Sequence, residues 1–429
     1  MEFAWPLIEY REEGMREGMQ IESAAISVDD KVRLLNALGE TGLKHIVAGS
    51  FVSPKYTPQM AKIEEVLERF TPKPGVKYTA LLVNEMSYER ARRFVPPLTI
   101  EDDRPTLNVH LCDVFVRRNF NRSQALELES WPKTVAKAKE RGVKEAAIAV
   151  AAAWGSNFTG EFTLPQRMDM LERAHALWDE AGIPVTQFSA YDPMAWTTPH
   201  RVEEQIYAIR GRWPHITRFY LHLHDARGMA LVSAYAAMRA LGKQGVPGYG
   251  VQGTRDGGTS EQPTPSPYGQ GPVGLSLRER NKSEQTSAVP HHPAPSTQHP
   301  SSRAPNPVPC TLILDGTIGG IGGCPYCGTG RATGMMATED FVHMLEGMGI
   351  PTGVDMDRLI DVVWMLEEVI GRPAFGSVSK AGPRPRTPDR WFDPNMPFVE
   401  TLEQAKHFKL GPGVYKDGIY PWKEPIRRQ

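Results

Sequence analysis

The sequence predicts a (β/α)8 barrel that is interrupted by a disordered insertion and followed by a C-terminal extension. Eight apolar runs alternate with eight helical patterns along the chain. A segment rich in proline, glycine and serine, residues 243–308, breaks this alternation before the last strand. Without that segment and the tail 372–429, 305 of the 429 residues remain, and a barrel of this type occupies about 250 residues or more as one domain.

The strands are predicted from continuous apolar runs, which are typical of parallel strands buried on both faces. They span residues 7–13, 45–51, 78–83, 108–115, 146–152, 185–191, 219–224 and 312–317. Apolar residues at helical spacing predict helices over 29–38, 60–70, 88–94, 125–141, 164–181, 201–213, 228–241 and 338–348. Strands that alternate with helices in this way favour a parallel barrel.

The insertion 243–308 is distinguished by its composition. It holds 11 of the 37 prolines, and its only aromatic residues are Tyr249 and Tyr268. Such a segment cannot bury enough apolar area to offset the entropy lost on ordering, so we expect it to be disordered. A docking segment for a partner and translated non-coding sequence are the alternatives that composition leaves open.

The chain is therefore predicted to divide into four parts. Residues 1–242 carry strands one to seven, and 309–371 carry strand eight, a glycine–cysteine loop and a helix. Residues 372–429 form an extension whose aromatic side chains are expected to pack on the barrel. The insertion 243–308 joins helix seven to strand eight, which places it at the N-terminal face. Active sites of such barrels lie at the opposite face, so the insertion is expected to spare the chemistry.

Composition excludes several classes of protein. Lys and Arg number 49 against 50 Asp and Glu, so the net charge of −1 argues against a protein that coats nucleic acid or an anionic membrane. Four cysteines exclude a disulfide scaffold and suit a reducing compartment. The most apolar run, 146–154, is about half the length that spans a bilayer. The N-terminal residues show no signal peptide, so we predict a cytoplasmic protein without membrane or nucleic-acid partners.

Two histidines stand at the end of the predicted seventh strand, in the sequence Leu221-His222-Leu223-His224-Asp225. Residues two apart on a strand point to the same face, so both imidazoles project into the barrel at its catalytic end. Two imidazoles that converge on one point favour a metal site. The alternative is that they only satisfy local polar groups.

A carboxylate and an arginine follow the predicted first strand, in the sequence Arg16-Glu17-Gly18-Met19-Gln20. Glu17 could complete a facial triad with the two histidines and leave coordination positions open for substrate. Arg16 could bind a carboxylate or stabilise an enolate. A solvated charged turn is the structural alternative.

A glycine-rich loop with two cysteines, residues 319–330, follows the predicted eighth strand. So many glycines indicate unusual backbone angles or a close approach of substrate. Cys324 and Cys327 form a Cys-x-x-Cys pattern that fits a redox pair, half of a structural zinc site, or a single thiol acting as an acid. The sequence does not choose among these three.

These motifs, taken together with the loop after the second strand, resemble 3-hydroxy-3-methylglutaryl-CoA lyase and the wider DRE-TIM metallolyase family. The most specific segments are 50–60 and 322–326, followed by 337–340 and 347–354. The resemblance covers about residues 7–242 and 311–370.

The resemblance implies a role for each candidate residue. His222 and His224 would bind a divalent cation, Mg²⁺ or Mn²⁺, with Glu17 as the carboxylate ligand. Arg16 would stabilise the enolate oxygen and contact substrate together with Gln20. The resemblance also assigns Cys324 as the loop thiol that moves a proton, His222 as part of the catalytic set, and Asp192, after strand six, as a group that assists the base.

Four features depart from the family pattern. Glu17 replaces the usual aspartate, Met335 stands where the family has an asparagine ligand, and Val47 stands where it has a glutamate. The loop that carries Cys324 is two residues longer. A thioether is a poor ligand for Mg²⁺, which prefers oxygen. These departures put the exact substrate in question, while the expected type of reaction stays the same.

The leading hypothesis is a metal-dependent carbon–carbon lyase that cleaves a 3-hydroxyacyl-CoA such as 3-hydroxy-3-methylglutaryl-CoA to acetyl-CoA and a keto acid. A related aldolase or synthase acting on another hydroxy or keto acid, and an inactive barrel used as a binding protein, are the alternatives. The expected partner is a small acyl-CoA or hydroxy acid. The resemblance allows a homodimer and a mitochondrial location.

Overall fold

A computed structural model of the chain describes residues 5–101, 104–242, 309–328 and 334–388. The predictions for the insertion 243–308 and for the tail beyond residue 388 lie outside the described residues.

Eight parallel strands form one sheet in the order β3-β2-β1-β10-β9-β8-β5-β4. Helices follow the strands along the chain, so the predicted (β/α)8 barrel is confirmed. The eight strands are β1 (Leu7–Glu12), β2 (His45–Ser50), β3 (Lys77–Leu81), β4 (Thr106–His110), β5 (Ala146–Ala151), β8 (Val185–Asp192), β9 (Arg218–Leu223) and β10 (Thr311–Gly316). Between β5 and β8, β6 (Gly155–Ser156) and β7 (Gly160–Glu161) form a small antiparallel hairpin.

The helices surround the sheet. They are α1 (Val28–Gly39), α2 (Ile63–Arg69), α3 (Glu85–Arg92), α4 (Asp113–Phe120), α5 (Gln124–Glu140), α6 (Leu164–Glu180), α7 (Pro199–Arg212), α8 (Ala230–Leu241), α9 (Thr338–Gly347), α10 (Met356–Ile370) and α11 (Val378–Ala381). In the described residues no helix is long and apolar enough to cross a membrane.

The sequence of each element explains its position. All six residues of β5 are buried, as expected for a parallel strand covered on both faces. Helix α6 begins at a capping box in which Thr163 and Gln166 satisfy each other's backbone N–H groups. Helix α10 begins at the Asp355 cap and ends at Gly371 in a left-handed conformation, which glycine adopts without strain.

One predicted element was partly wrong. The strand expected over 108–115 ends at His110, and its last residues belong to α4, which begins at Asp113. The side chain of Cys112 accepts a hydrogen bond from the backbone N–H of Phe115 and caps this helix. An apolar run that changes from strand to helix offers no clear boundary, because both elements bury such residues.

The first and last strands lie side by side, with β1 paired to β10 along its whole length. At their carboxyl ends the buried carboxylate of Glu12 accepts hydrogen bonds from the backbone N–H groups of Gly14 (2.7 Å) and Ile318 (2.9 Å), and from the hydroxyl of Thr338. These bonds fix the first and last loops of the barrel against each other. Both loops carry residues of the candidate site.

Candidate metal and catalytic site

His222 and His224 come from the end of β9 and point to the same side, with ring centroids 5.2 Å apart. Nδ1 of His222 is 2.7 Å from Oδ2 of Asp315 on the neighbouring β10. A carboxylate at one ring nitrogen fixes the tautomer and the ring orientation, and it leaves Nε2 available as a ligand.

Glu17 approaches the two histidines from the helical turn Gly14–Gly18 that follows β1. Its Oε1 lies 3.8 Å from Nε2 of His224. The three side chains each offer a ligand atom within 4.8 Å of the others, and all three residues are buried. The structure therefore brings together the three ligands that the sequence suggested.

The donor set fits a divalent cation. Burial, His222 and Arg16 all lower the pKa of His224, which keeps its imidazole neutral as a metal ligand must be. Carboxylates outnumber arginines here: Glu13 and Glu17 share Arg16 (3.0 Å to Glu13), and Asp315 pairs with His222 and is influenced by Arg11. Buried carboxylates that outnumber their cations are compensated when a cation binds.

The glycine-rich loop after β10 packs closely against the turn that carries Glu17. Gly322 has a φ of +107°, and a Cβ there would lie 3.0 Å from the carbonyl oxygen of Glu17. Gln20 donates from Nε2 to Oε1 of Glu17 (2.5 Å) and to the carbonyl of Gly323 (3.4 Å). Cys324, the next residue, is half-buried and directly follows the residue that contacts Gln20.

Asp192 lies at the end of β8, where the carboxylate accepts hydrogen bonds from the backbone N–H groups of Trp196 (3.0 Å) and Thr197 (2.7 Å). Burial raises its pKa to about 6, and these hydrogen bonds oppose the shift. The side chain thus organises the loop from β8 to α7, and it is still ionised at neutral pH.

The sequence predictions missed a polar group in the barrel interior. Asp315 also accepts a hydrogen bond from the hydroxyl of Tyr220, and Arg11 lies 5.1 Å over the Tyr220 ring. Asp315 could have been found as a lone acid inside the apolar run 311–316. Glu13, which follows β1, is a second buried acid that the sequence predictions missed. Burial raises its pKa, although the positive charge of Arg16 opposes this shift.

Besides Glu17 and the longer loop, Met335 and Val47 depart from the family pattern. The backbone of Met335 forms a β-bridge with that of His224, so an apolar residue lies beside this candidate ligand where the family has an asparagine. Val47 is buried on β2 opposite Thr79 of β3.

A cavity of about 1390 Å³ opens at the other end of the barrel, around the first residues of the strands. Two of its glutamates pair with arginines: Glu9 with Arg218 (2.9 Å) and Glu145 with Arg104 (2.6 Å). Size alone would favour this cavity as the active site. The grouped candidate ligands at the opposite end favour that end as the catalytic face, in agreement with the general rule for such barrels.

The architecture and the grouped ligands define a class, a (β/α)8-barrel enzyme with a His₂–carboxylate group at the carboxyl ends of its strands. A family model described as HMGL-like matches residues 8–247. The chain belongs to this HMGL-like family.

Individual relatives agree with this assignment. The mitochondrial hydroxymethylglutaryl-CoA lyase of Gallus gallus is 24% identical over 373 residues, covering 87% of this chain and 97% of the relative. The (R)-citramalyl-CoA lyase of Chloroflexus aurantiacus is 26% identical, with 86% and 92% covered. A structure of an HMG-CoA lyase from Acinetobacter baumannii with coenzyme A and 3-methylmalate superposes with a TM-score of 0.59 at 22% identity, covering 89% and 97%. The relatives are carbon–carbon lyases, and this chain is an enzyme of that class.

Proposed function

We propose that the enzyme cleaves a 3-hydroxyacyl-CoA such as 3-hydroxy-3-methylglutaryl-CoA to acetyl-CoA and a keto acid, in a reaction that depends on a divalent cation. The observation that carries this proposal is the convergence of Glu17, His222 and His224 within 4.8 Å at the catalytic end. The CoA thioesters named for the relatives support the choice of substrate class.

The residues of the site suit the steps of a retro-Claisen cleavage. Mg²⁺ or Mn²⁺ held by Glu17, His222 and His224 would supply the Lewis acidity that lowers the pKa of the substrate hydroxyl. Asp192, with a pKa of about 6, is ionised at neutral pH and assists removal of the hydroxyl proton.

Cleavage of the carbon–carbon bond leaves an enolate that must be stabilised and protonated. Arg16 carries a fixed positive charge beside Glu17 and is the group that stabilises the enolate oxygen. Gln20, which bridges Glu17 and the carbonyl of Gly323, contacts substrate between the two loops. The thiol of Cys324 then delivers the proton that completes acetyl-CoA.

A related lyase with another hydroxyacyl substrate is the second candidate. It is favoured by Met335 beside His224, because the family's asparagine would add an oxygen donor there. The (R)-citramalyl-CoA lyase relative matches as much of the chain as the hydroxymethylglutaryl-CoA lyases do. An inactive binding barrel is the third candidate, and such a protein need not bind an ion.

One experiment separates these candidates. The full-length protein is incubated with 3-hydroxy-3-methylglutaryl-CoA or with citramalyl-CoA in the presence of Mg²⁺ or Mn²⁺, and acetyl-CoA, acetoacetate and pyruvate are measured by mass spectrometry. We expect acetyl-CoA and acetoacetate from the first substrate, and no product in the presence of a chelator. Pyruvate from citramalyl-CoA alone would select the second candidate. Tight metal binding without cleavage of any thioester would contradict the proposal.

The cytoplasmic location and the homodimer stay predictions.

A further inference from the structure

The sequence Cys324-Pro325-Tyr326-Cys327 forms a tight turn in the loop after β10. The backbone N–H of Cys327 donates to the carbonyl of Cys324 (3.3 Å), with proline at the second position, where β-turns favour it. A β-turn brings the Cα atoms of its first and fourth residues to within about 7 Å. A disulfide needs a Cα separation of about 4.4–6.8 Å, so the turn holds the two cysteines at a suitable distance.

Contacts with three other loops and helices hold this turn in place. Arg118 of α4 donates from Nε to the carbonyl of Tyr326 (2.8 Å), and Asn157 donates from Nδ2 to the carbonyl of Cys327 (3.0 Å). The thiol of Cys327 donates to the carbonyl of Pro193 (3.0 Å). The backbone of the turn and the sulfur of Cys327 are therefore held by the barrel and not only by the turn itself.

The two thiols differ in the way that a reactive and a resolving cysteine differ. Cys324 is half-buried, whereas Cys327 is buried. A hydrogen bond from Cys327 lowers the pKa of Cys324 although burial opposes the effect, and the same contact raises the pKa of Cys327. A thiol has one proton, so Cys327 donates either to Pro193 or to Cys324.

The other uses of a Cys-x-x-Cys pattern lack support in the described residues. No group of three or more possible ligands in this part of the chain includes a cysteine. Cys112 caps α4 and accepts a hydrogen bond from Ser156 (3.0 Å), and Cys310 precedes β10 at the opposite end of the barrel. A structural zinc site would need two further ligands beside the turn.

We propose that Cys324 and Cys327 are a modification site, at which a small-molecule disulfide such as oxidised glutathione converts them to an internal disulfide that removes the proton-donating thiol. The thiolate of Cys324 attacks one sulfur of oxidised glutathione, forms a mixed disulfide and releases one glutathione thiolate. The thiolate of Cys327 attacks Cys324 in that mixed disulfide and releases the second. The two cysteines are oxidised by two electrons, their protons pass to solvent or to the two glutathiones, and a dithiol reverses the reaction.

The consequence for activity rests on the proposed function, in which Cys324 delivers a proton to the enolate. An oxidised Cys324 has no proton to give. General acid catalysis contributes about 10²–10⁴-fold, so the oxidised enzyme should be at least about 100-fold slower than the reduced enzyme.

Peptide mapping of the full-length protein tests the site independently of activity. Chymotrypsin cuts after Tyr326, between the two cysteines, so the two fragments stay joined only when a disulfide links them. After oxidised glutathione, we expect joined fragments without bound glutathione, and separate fragments after dithiothreitol. Cys327→Ala should retain one glutathione on Cys324, because the resolving thiol is gone. Cys310→Ser is the matched control and should behave as the unchanged protein does.

Two mapping results would overturn the modification site: a stable glutathione adduct on Cys324 in the unchanged protein, or a disulfide between Cys112 and Cys327. An internal disulfide with full thioester cleavage would overturn the claim that oxidation removes the catalytic thiol. An internal disulfide in a protein whose reduced form binds the metal but cleaves no thioester would support the modification site and contradict the proposed function.

Discussion

Both ends of the barrel contain charged side chains, but the pairing and burial of these side chains differ between the ends. At the amino-terminal end, Glu9 and Glu145 each have their own arginine, and the side chains of these pairs are about 30–50% exposed. At the carboxyl-terminal end, Glu13 and Glu17 share Arg16, and both carboxylates are almost completely buried. The two partly exposed pairs neutralise their own charges, whereas the two buried carboxylates share one arginine and leave a negative charge for a metal ion to balance.

The largest expected effect is the loss of a ligand at the carboxyl-terminal end. His224→Ala should lower kcat by about 10³-fold or more, because the Lewis acid supplies several kcal/mol of transition-state stabilisation and about 4 kcal/mol corresponds to that factor. Steady-state kinetics with saturating Mg²⁺ measure this effect, and circular dichroism checks that the fold is intact.

Glu9→Gln, at the other end of the barrel, is the matched control for His224→Ala. It breaks the partly exposed pair with Arg218 and should leave kcat unchanged, with a loss of stability of about 1 kcal/mol or less. A large loss of activity in Glu9→Gln, or normal activity in His224→Ala, would remove the distinction between the two ends.

A smaller effect is expected from the residue behind the ligand. Asp315→Asn keeps the shape of the side chain but weakens the bond that orients His222, so metal affinity should fall by about 10–100-fold. Competition with a chromophoric chelator measures the affinity. His45→Gln, deeper in the barrel and toward its amino-terminal end, should bind the metal normally. Equal affinities in Asp315→Asn and the unchanged protein would show that Asp315 does not orient the ligand.

The smallest expected effect is on the pH dependence of stability, which should have opposite signs at the two ends. Burial raises the pKa of Glu339, behind the glycine-rich loop, from 4.5 to about 8. The folded state therefore holds a proton that the unfolded state has released, and this stabilisation is complete below pH 4.5 and lost as pH rises through 8. Burial and Arg11 lower the pKa of His45 from 6.5 to about 4, so its contribution is present above pH 6.5 and lost as pH falls through 4.

Urea unfolding of two variants at several pH values measures this difference. The stability of Glu339→Gln relative to the unchanged protein should increase by roughly 1–3 kcal/mol between pH 5 and pH 8.5. The stability of His45→Gln relative to the unchanged protein should increase as pH falls from 7 to 4.5. Parallel pH profiles for all three proteins would show that neither buried group is shifted.

The barrel could be predicted from the sequence because its strands are long apolar runs separated by amphipathic helices. The boundary between β4 and α4 could not, since the residues around Cys112 are apolar in both elements. His222 and His224 were recognisable from their spacing on one strand. Glu17 was a weaker hypothesis, supported by its place after the first strand and by the family resemblance, because no local pattern shows that a turn after β1 meets the end of β9.

The polar interior was harder to predict than the ligands. Asp315 orients His222 across two strands that the insertion separates in sequence. The hydrogen bonds of Asp192 to the loop after β8 depend on backbone geometry that no motif records. Such contacts follow from the register of neighbouring strands, which hydrophobic pattern alone does not give.

The pairing of β1 with β10 also has a consequence for synthesis on the ribosome. β1 is translated long before its partner β10. Until β10 has been made, one edge of β1 has no hydrogen-bonding neighbour. Contacts between residues so distant in sequence form slowly. A nascent chain that ends before residue 311 therefore exposes an open sheet edge, at which it can aggregate. It also lacks Asp315 and Cys324, so we expect no activity before translation has passed the glycine-rich loop.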